Sequence, residues 1–283
     1  MKKSNYNFIY EYKGDVNMKF MVAVDLEGVA CAYGPCEGNV EDAFNIDFVR
    51  KQATREANAA VYALFGCGAE EVIVWDNHGR GCSLDYDMLD EKCKIAIGST
   101  VGTRYPILDD TFSGVIMIGY HAMASNGEAV LAHTYSSVKY QHIKVNGVEL
   151  GEVGIDGAIA GEKGVPVIFV SGDDKCVAEA KEIMPWVEAV ETKQSFAYTR
   201  IVSKHPKTTV KEIYEGVKNA VKRLDEMKCF TVKTPVNVEV RYKRTDTATH
   251  AKLVDMNGNF FKALDAYTRT GTMKTLENLL LLL

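Results

Sequence analysis

Short apolar, β-branched runs alternate with helical stretches over the first two-thirds of this chain, and that alternation restricts the fold more than any other feature. Residues 19–25 (KFMVAVD) place apolar side chains on consecutive positions, as in a strand covered on both faces. Helical periodicity follows over 40–64. There Phe48, Ala53, Ala57, Ala60 and Ala63 recur mostly at three- and four-residue steps, and Gly66 and Gly68 end the pattern. Further strands are predicted at 71–75 (EVIVW), 94–97, 114–119 (GVIMIG), 128–132 and 166–170. Residues 140–145 with the Asn146-Gly147 turn predict a hairpin. Helices are expected at 151–163 and, capped by Asp173 and Asp174, up to about 183. Strand–helix alternation of this kind predicts an α/β fold, with a mostly parallel sheet flanked by helices.

The texture changes after about residue 207. An amphipathic helix is expected over 208–227, a half-exposed alternating strand at 236–242 and a final helix over 264–282. Three regions follow: an α/β core at 18–200, a smaller C-terminal α+β lobe at 201–283, and a polar leader or tail at 1–17. That leader carries Tyr6, Tyr10 and Tyr12 but no apolar signal core, and Met18 is an alternative start directly before the first strand. Formal net charge is -5 and the pI is about 5.8. Without a basic stripe, neither nucleic acid nor an anionic membrane surface is an expected partner. No apolar run approaches the roughly 18 residues of a membrane span. Seven cysteines, an odd number with no Cys-x-x-Cys pair, argue against a disulfide framework and for a reducing cytoplasm.

Parallel sheets bind ligands beyond the carboxyl ends of their strands, and the chemistry of this sequence gathers there. The first strand ends in Asp25 and Glu27, the second in Asp76 and His78, the next apolar strand in His121, and the run at 128–132 in His133. Each pair is unremarkable alone: Asp-x-Glu is commonly solvated, and Asp76 serves equally as a turn or cap residue. Convergence on one rim changes that. A mixed Asp/Glu/His set suits a divalent first-row metal, zinc above all, with manganese or cobalt as alternatives. Two ions sharing a carboxylate would activate a water and polarise a carbonyl. No Gly-x-Gly-x-x-Gly, P-loop or Gly-x-Ser-x-Gly motif is present.

Taken together, these segments resemble the DppA-type D-aminopeptidases, peptidase family M55. The resemblance rests on Val24-Asp25-Leu26-Glu27-Gly28, Asp76-Asn77-His78, Leu108-Asp109-Asp110-Thr111-Phe112 leading into Gly119-Tyr120-His121-Ala122, then His133, Gly151-Glu152-Val153-Gly154 and Ser171-Gly172-Asp173-Asp174. It implies a metal-binding catalytic core at 18–200 and a zinc-dependent aminopeptidase with two zinc ions per subunit, acting on short peptides with N-terminal D-amino acids of the D-alanine type. It implies Asp25, Glu27, His78, His121 and Glu152 as metal ligands, with Asp25 bridging, and His133 as the catalytic residue. It also implies a ring-shaped homodecamer. Glu152 enters only through this resemblance; a Glu at a helix start otherwise reads as a favourable partner of the helix dipole. The chain departs from the family in the loop 31–39, with Cys31 and Cys36, and in a His121-to-His133 interval one residue longer. Rival expectations are a dinuclear phosphoesterase and a non-catalytic, metal-dependent peptide-binding protein.

Overall fold

The computed structural model describes residues 6–9, 18–98 and 103–280. In chain order its strands are β1 (Tyr6–Ile9), β2 (Lys19–Val24), β3 (Glu71–Asp76), β4 (Lys94–Ala96), β5 (Gly114–Tyr120), β6 (Tyr140–Val145), β7 (Val148–Glu149), β8 (Val167–Asp173), β9 (Glu188–Ala197), β10 (Arg200–Ser203), β11 (Cys229–Val232), β12 (Val236–Tyr242), β13 (Lys262–Ala263) and β14 (Thr268–Met273). Its helices are α1 (Ile46–Gly66), α2 (Glu152–Glu162), α3 (Asp174–Ile183), α4 (Pro206–Lys222), α5 (Thr245–Thr249) and α6 (Leu276–Leu280).

The buried apolar strands β2, β3, β5 and β8 form the centre of a seven-stranded sheet in the order β10-β9-β8-β5-β2-β3-β4. Every pairing in it is parallel except β9–β10, so the expected α/β fold with a mostly parallel sheet is what forms. Alternate residues of β2 face opposite layers, as strand pleating requires. Phe20, Val22 and Val24 pack with α1 and α4, through residues such as Val49, Ala57, Ile213 and Val217. Met21 and Ala23 face the layer holding α2, including Val153 and Ile159. Each such Phe, Val, Ile or Met side chain, removed from water, contributes roughly 1.5–3 kcal/mol.

A second, antiparallel sheet of five strands, β13-β14-β12-β6-β7, combines the hairpin at 140–149 with the C-terminal strands. Residues 200–222 add β10 and α4 to the parallel sheet's side of the molecule. The backbone of β1 pairs antiparallel with β11. The rest of the region expected to be a leader or tail lies outside the described residues, as does the end of the leucine run, 281–283.

Two expected elements are corrected. Residues 128–132 form turns, not a strand: Val130 and Leu131 are buried, but Leu131 has φ +52°, which interrupts any extended run. Apolar character there marks burial under a loop, and a short apolar run does not separate the two cases. The helix expected over 264–282 is instead β14 followed by the short α6. Thr268, Thr270 and Thr272 favour the extended chain, and β14 gains backbone partners along β12.

Candidate metal centre

Parallel register brings together the segments that carry the candidate ligands. Val24 pairs with Asp76 on one side and Ile118 on the other, so the carboxyl ends of β3, β2 and β5 adjoin. Asp25 N–H continues the ladder to the Ile118 carbonyl at 2.8 Å, and Gly28 N–H donates to the Gly119 carbonyl at 2.7 Å. Asp25 and Glu27 lie on that tightly seated turn. His78 follows β3, His121 follows β5, and Glu152 opens α2, where its carboxylate accepts Tyr135 N–H at 2.7 Å. His133 arrives on the turn at 128–132 rather than from a strand.

The six side chains meet in one pocket. His78 Nε2 lies 3.4 Å from Glu27 Oε1. His121 Nε2 lies 3.6 Å from Asp25 Oδ2 and 3.2 Å from Glu152 Oε1. His133 Nε2 lies 3.6 Å from Glu152 Oε1 and 3.9 Å from Glu27 Oε1. The rings of His121 and His133 stack, with centroids 4.0 Å apart and 13° between planes. Among the described residues, three groups hold their ligand atoms within 4.8 Å of one another: Asp25 with Glu27 and His78, Asp25 with His121 and Glu152, and Glu27 with His121 and His133. Ligands at about 2.0–2.2 Å from one zinc stand within that limit of one another. Glu27 Oε2 is buried with no hydrogen-bond partner, a demand that a cation meets. The donor set therefore fits a divalent metal.

Each imidazole is held so that one nitrogen faces the pocket. His121 Nδ1 contacts the Ala122 carbonyl at 3.1 Å and His133 Nδ1 the Leu131 carbonyl at 2.7 Å. A carbonyl only accepts, so Nδ1 carries a proton in each ring, and a ring that gives up its Nε2 proton presents the lone pair to the centre. His78 Nδ1 is partnered by Ser83 Oγ at 2.9 Å. Asp76, the strand-end acid marked by sequence, holds this support in place. Its Oδ2 accepts Ser83 N–H at 2.6 Å, Leu84 N–H at 2.8 Å and the Tyr86 hydroxyl at 3.2 Å. It serves as a turn-organising acid and does not join the three groups.

Behind Glu152, one turn along α2, Asp156 accepts a bidentate pair from Arg104 at 2.8 Å each and the hydroxyls of Tyr120 (3.0 Å) and Tyr135 (2.8 Å). Sequence reasoning missed this network. Its one signal was the four-residue step from Glu152 to Asp156, which places both acids on one helix face.

Burial raises Asp25 well above the ordinary carboxyl range, and repulsion from Glu27 adds to it. Burial acts likewise on Glu27, but His78, then His121 and His133, outweigh it and hold that carboxyl well below its usual range. Burial also opposes ionisation of Glu152, and His121 chiefly reverses this, pulling it down to about 2. His78 is disfavoured as a cation by burial yet lifted to about 10, chiefly by Glu27. His133 goes the other way. Burial first, and then the neighbouring His121, lower it, so its ring is neutral. Carboxylates and imidazoles here stabilise one another's charges, and a bound cation would take the place of the imidazole protons.

A family model for D-aminopeptidases, Peptidase_M55, matches residues 18–281. A D-aminopeptidase of Bacillus subtilis (strain 168) is 30% identical over 221 residues, covering 76% of this chain and 77% of that protein. Among solved structures, the Zn-dependent D-aminopeptidase DppA from Bacillus subtilis, a self-compartmentalizing protease, superposes with a TM-score of 0.83. It is 28% identical, and the match covers 92% of this chain and 94% of that one.

Proposed function

Because this chain belongs to the peptidase M55 family of D-aminopeptidases and is a zinc-dependent metallo-aminopeptidase, we propose that it hydrolyses short peptides with N-terminal D-amino acids, of the D-alanine type, at a two-zinc centre. The observation that carries the two-metal reading is that Asp25 belongs to two ligand groups at once. Glu27 and His78 would complete one ion's protein ligands, and His121 and Glu152 the other's, with Asp25 between them. Bound zinc supplies a water acidic enough to ionise near neutral pH and a Lewis acid for the scissile carbonyl.

His133 is left for proton transfer. Its Nδ1–H is fixed on the Leu131 carbonyl, so Nε2 is the atom that takes up a proton and returns it to the departing amine. The stacked His121 ring fixes its plane. A phosphoesterase needs a cationic clamp, and two nearby cations are already engaged. Arg104 is held bidentately by Asp156, and Lys193 by backbone carbonyls. By likeness to the self-compartmentalizing relative, a ring-shaped homodecamer in the cytoplasm is proposed, whose chamber would admit only short peptides. No helix among the described residues is long and apolar enough to cross a membrane.

Zinc analysis coupled to a substrate screen tests the reading. Two zinc ions per chain and chelator-sensitive cleavage of D-Ala-D-Ala and D-Ala-Gly-Gly are expected. Cleavage of the L-peptides alone would refute the stereochemical part. Faster turnover of p-nitrophenyl phosphate than of D-alanyl peptides would replace the peptidase with a phosphoesterase, and tight peptide binding without hydrolysis would leave a binding protein.

A further inference from the structure

Two of the carboxylates that define the centre sit on an irregular turn, residues 25–32, so something other than a helix or a strand ladder must fix their separation. Backbone carbonyls in a buried turn need donors. Those of Glu27, Val29 and Ala32 all accept from one group, the ammonium of Lys193 on β9, at 2.5, 2.8 and 2.8 Å. Lys193 is 1% exposed. The adjacent Thr192 adds a bond from Oγ1 to the Gly28 carbonyl at 2.5 Å. An ammonium has three donors and no acceptor, so this one turn consumes the whole hydrogen-bonding capacity of Lys193. Among the described residues Lys193 makes no ion pair within 4.0 Å; Asp173, its acidic neighbour, bonds Ser195 Oγ and Lys175 N–H instead. Burying a cation on neutral carbonyls is unfavourable beside an apolar residue of the same shape. Its return here is local: the turn cannot relax without leaving the charge unsolvated, and the positive charge stands behind a pocket crowded with carboxylates.

We propose that Lys193, assisted by Thr192, is a positioning residue for the metal centre, clamping the turn so that the Asp25 and Glu27 carboxylates are held at metal-binding separation before any ion arrives. This rests on the two-zinc reading above. The clamp reaches across about 160 positions of sequence and touches no ligand side chain. Supports of metal ligands typically contribute 10–100-fold in affinity or activity.

The full-length protein carrying Lys193→Met is stripped with chelator and titrated with Zn2+ against a competing indicator, and its Co2+ form is examined by visible absorption. A 10–100-fold weaker zinc affinity and an altered Co2+ band are expected. Once zinc is saturating, kcat falls while KM for a D-alanyl peptide stays near wild type. Thr192→Val, a milder change of similar shape, should move affinity and spectrum the same way by a few-fold. A folded Lys193→Met protein with wild-type affinity and Co2+ spectrum overturns the proposal. If that variant does not fold, a Thr192→Val protein indistinguishable from wild type in both measurements overturns it. A wild-type protein that takes up neither zinc nor cobalt sinks the two-zinc reading and this proposal with it.

Discussion

Gly28→Ala should separate metal binding from folding more sharply than replacement of any ligand. Gly28 follows Glu27 in the ligand turn and lies against the end of β5. A Cβ built on it would fall 1.8 Å from the Tyr120 carbonyl oxygen and 2.6 Å from the Gly119 carbonyl carbon. Ordinary contact begins at 3.4 Å, so the turn and β5 must part by about 1.6 Å, and both neighbours are backbone. Gly28 is not among the glycines with positive φ, so alanine is acceptable to the backbone dihedrals and the damage is purely one of approach. Overpacking of a core typically costs about 1–3 kcal/mol, and the rigid backbone on both sides of Gly28 puts this change at or above the top of that range, against a total stability of about 5–15 kcal/mol. Metal sites, by contrast, tolerate only about 0.2 Å in ligand distance. Separating the turn from β5 strains the Gly28 N–H bond to Gly119 and moves Glu27 relative to His121. The expected result is a folded protein with zinc affinity reduced at least 10–100-fold and turnover lost at limiting zinc. Urea unfolding and a competitive zinc titration measure the two effects on one sample. Gly127→Ala is the control, since nothing lies within 4 Å of its Cβ position, and it should be neutral or stabilising by about 0.4–1 kcal/mol. A Gly28→Ala protein with wild-type zinc affinity would refute the idea that close seating of the turn on β5 sets the site.

Replacing His133 with Gln should leave zinc content intact and lower kcat by roughly 10²–10⁴; full turnover with both ions bound would remove His133 from the chemistry, and zinc loss would make it a ligand. Glu179 predicts a pH effect on stability. Its carboxyl, on α3, accepts Met123 and Gly151 N–H groups, yet burial raises it from 4.5 to about 7. The folded protein thus holds a proton that the unfolded chain releases, and the stability this gives is complete below about pH 4.5 and lost as pH rises through 7. Wild type should lose roughly 3 kcal/mol relative to Glu179→Gln between about pH 4.5 and 8. Parallel urea curves for the two proteins across that range would contradict it.

The consecutive apolar residues of 19–25, 71–75 and 114–119, alternating with helical stretches, implied buried parallel strands, because a sheet covered on both faces accommodates such runs. Parallel strands align their carboxyl ends, so Asp25, Glu27, His78 and His121 were legible as one rim from position alone. His133 does reach the pocket, but its route was misjudged, since burial of Val130 and Leu131 beneath a turn leaves the same local pattern as a short strand. Leucines near the C-terminus suggested a helix where β12 offered a backbone partner to the threonines of β14, a long-range pairing invisible in the segment itself. Glu152 was suggested by family likeness, and only the packing of α2 on the sheet, with its first residue at the pocket, brings that carboxylate to His121. Asp76 was open to a turn or a metal-binding role by position, and it organises a loop because Ser83 and Leu84 fold back onto it. Lys193 carried no local signal at all, and Asp156 carried only its four-residue step from Glu152. Local sequence governs which face of a strand is apolar; the work of a buried charge is set by groups that arrive from distant parts of the chain.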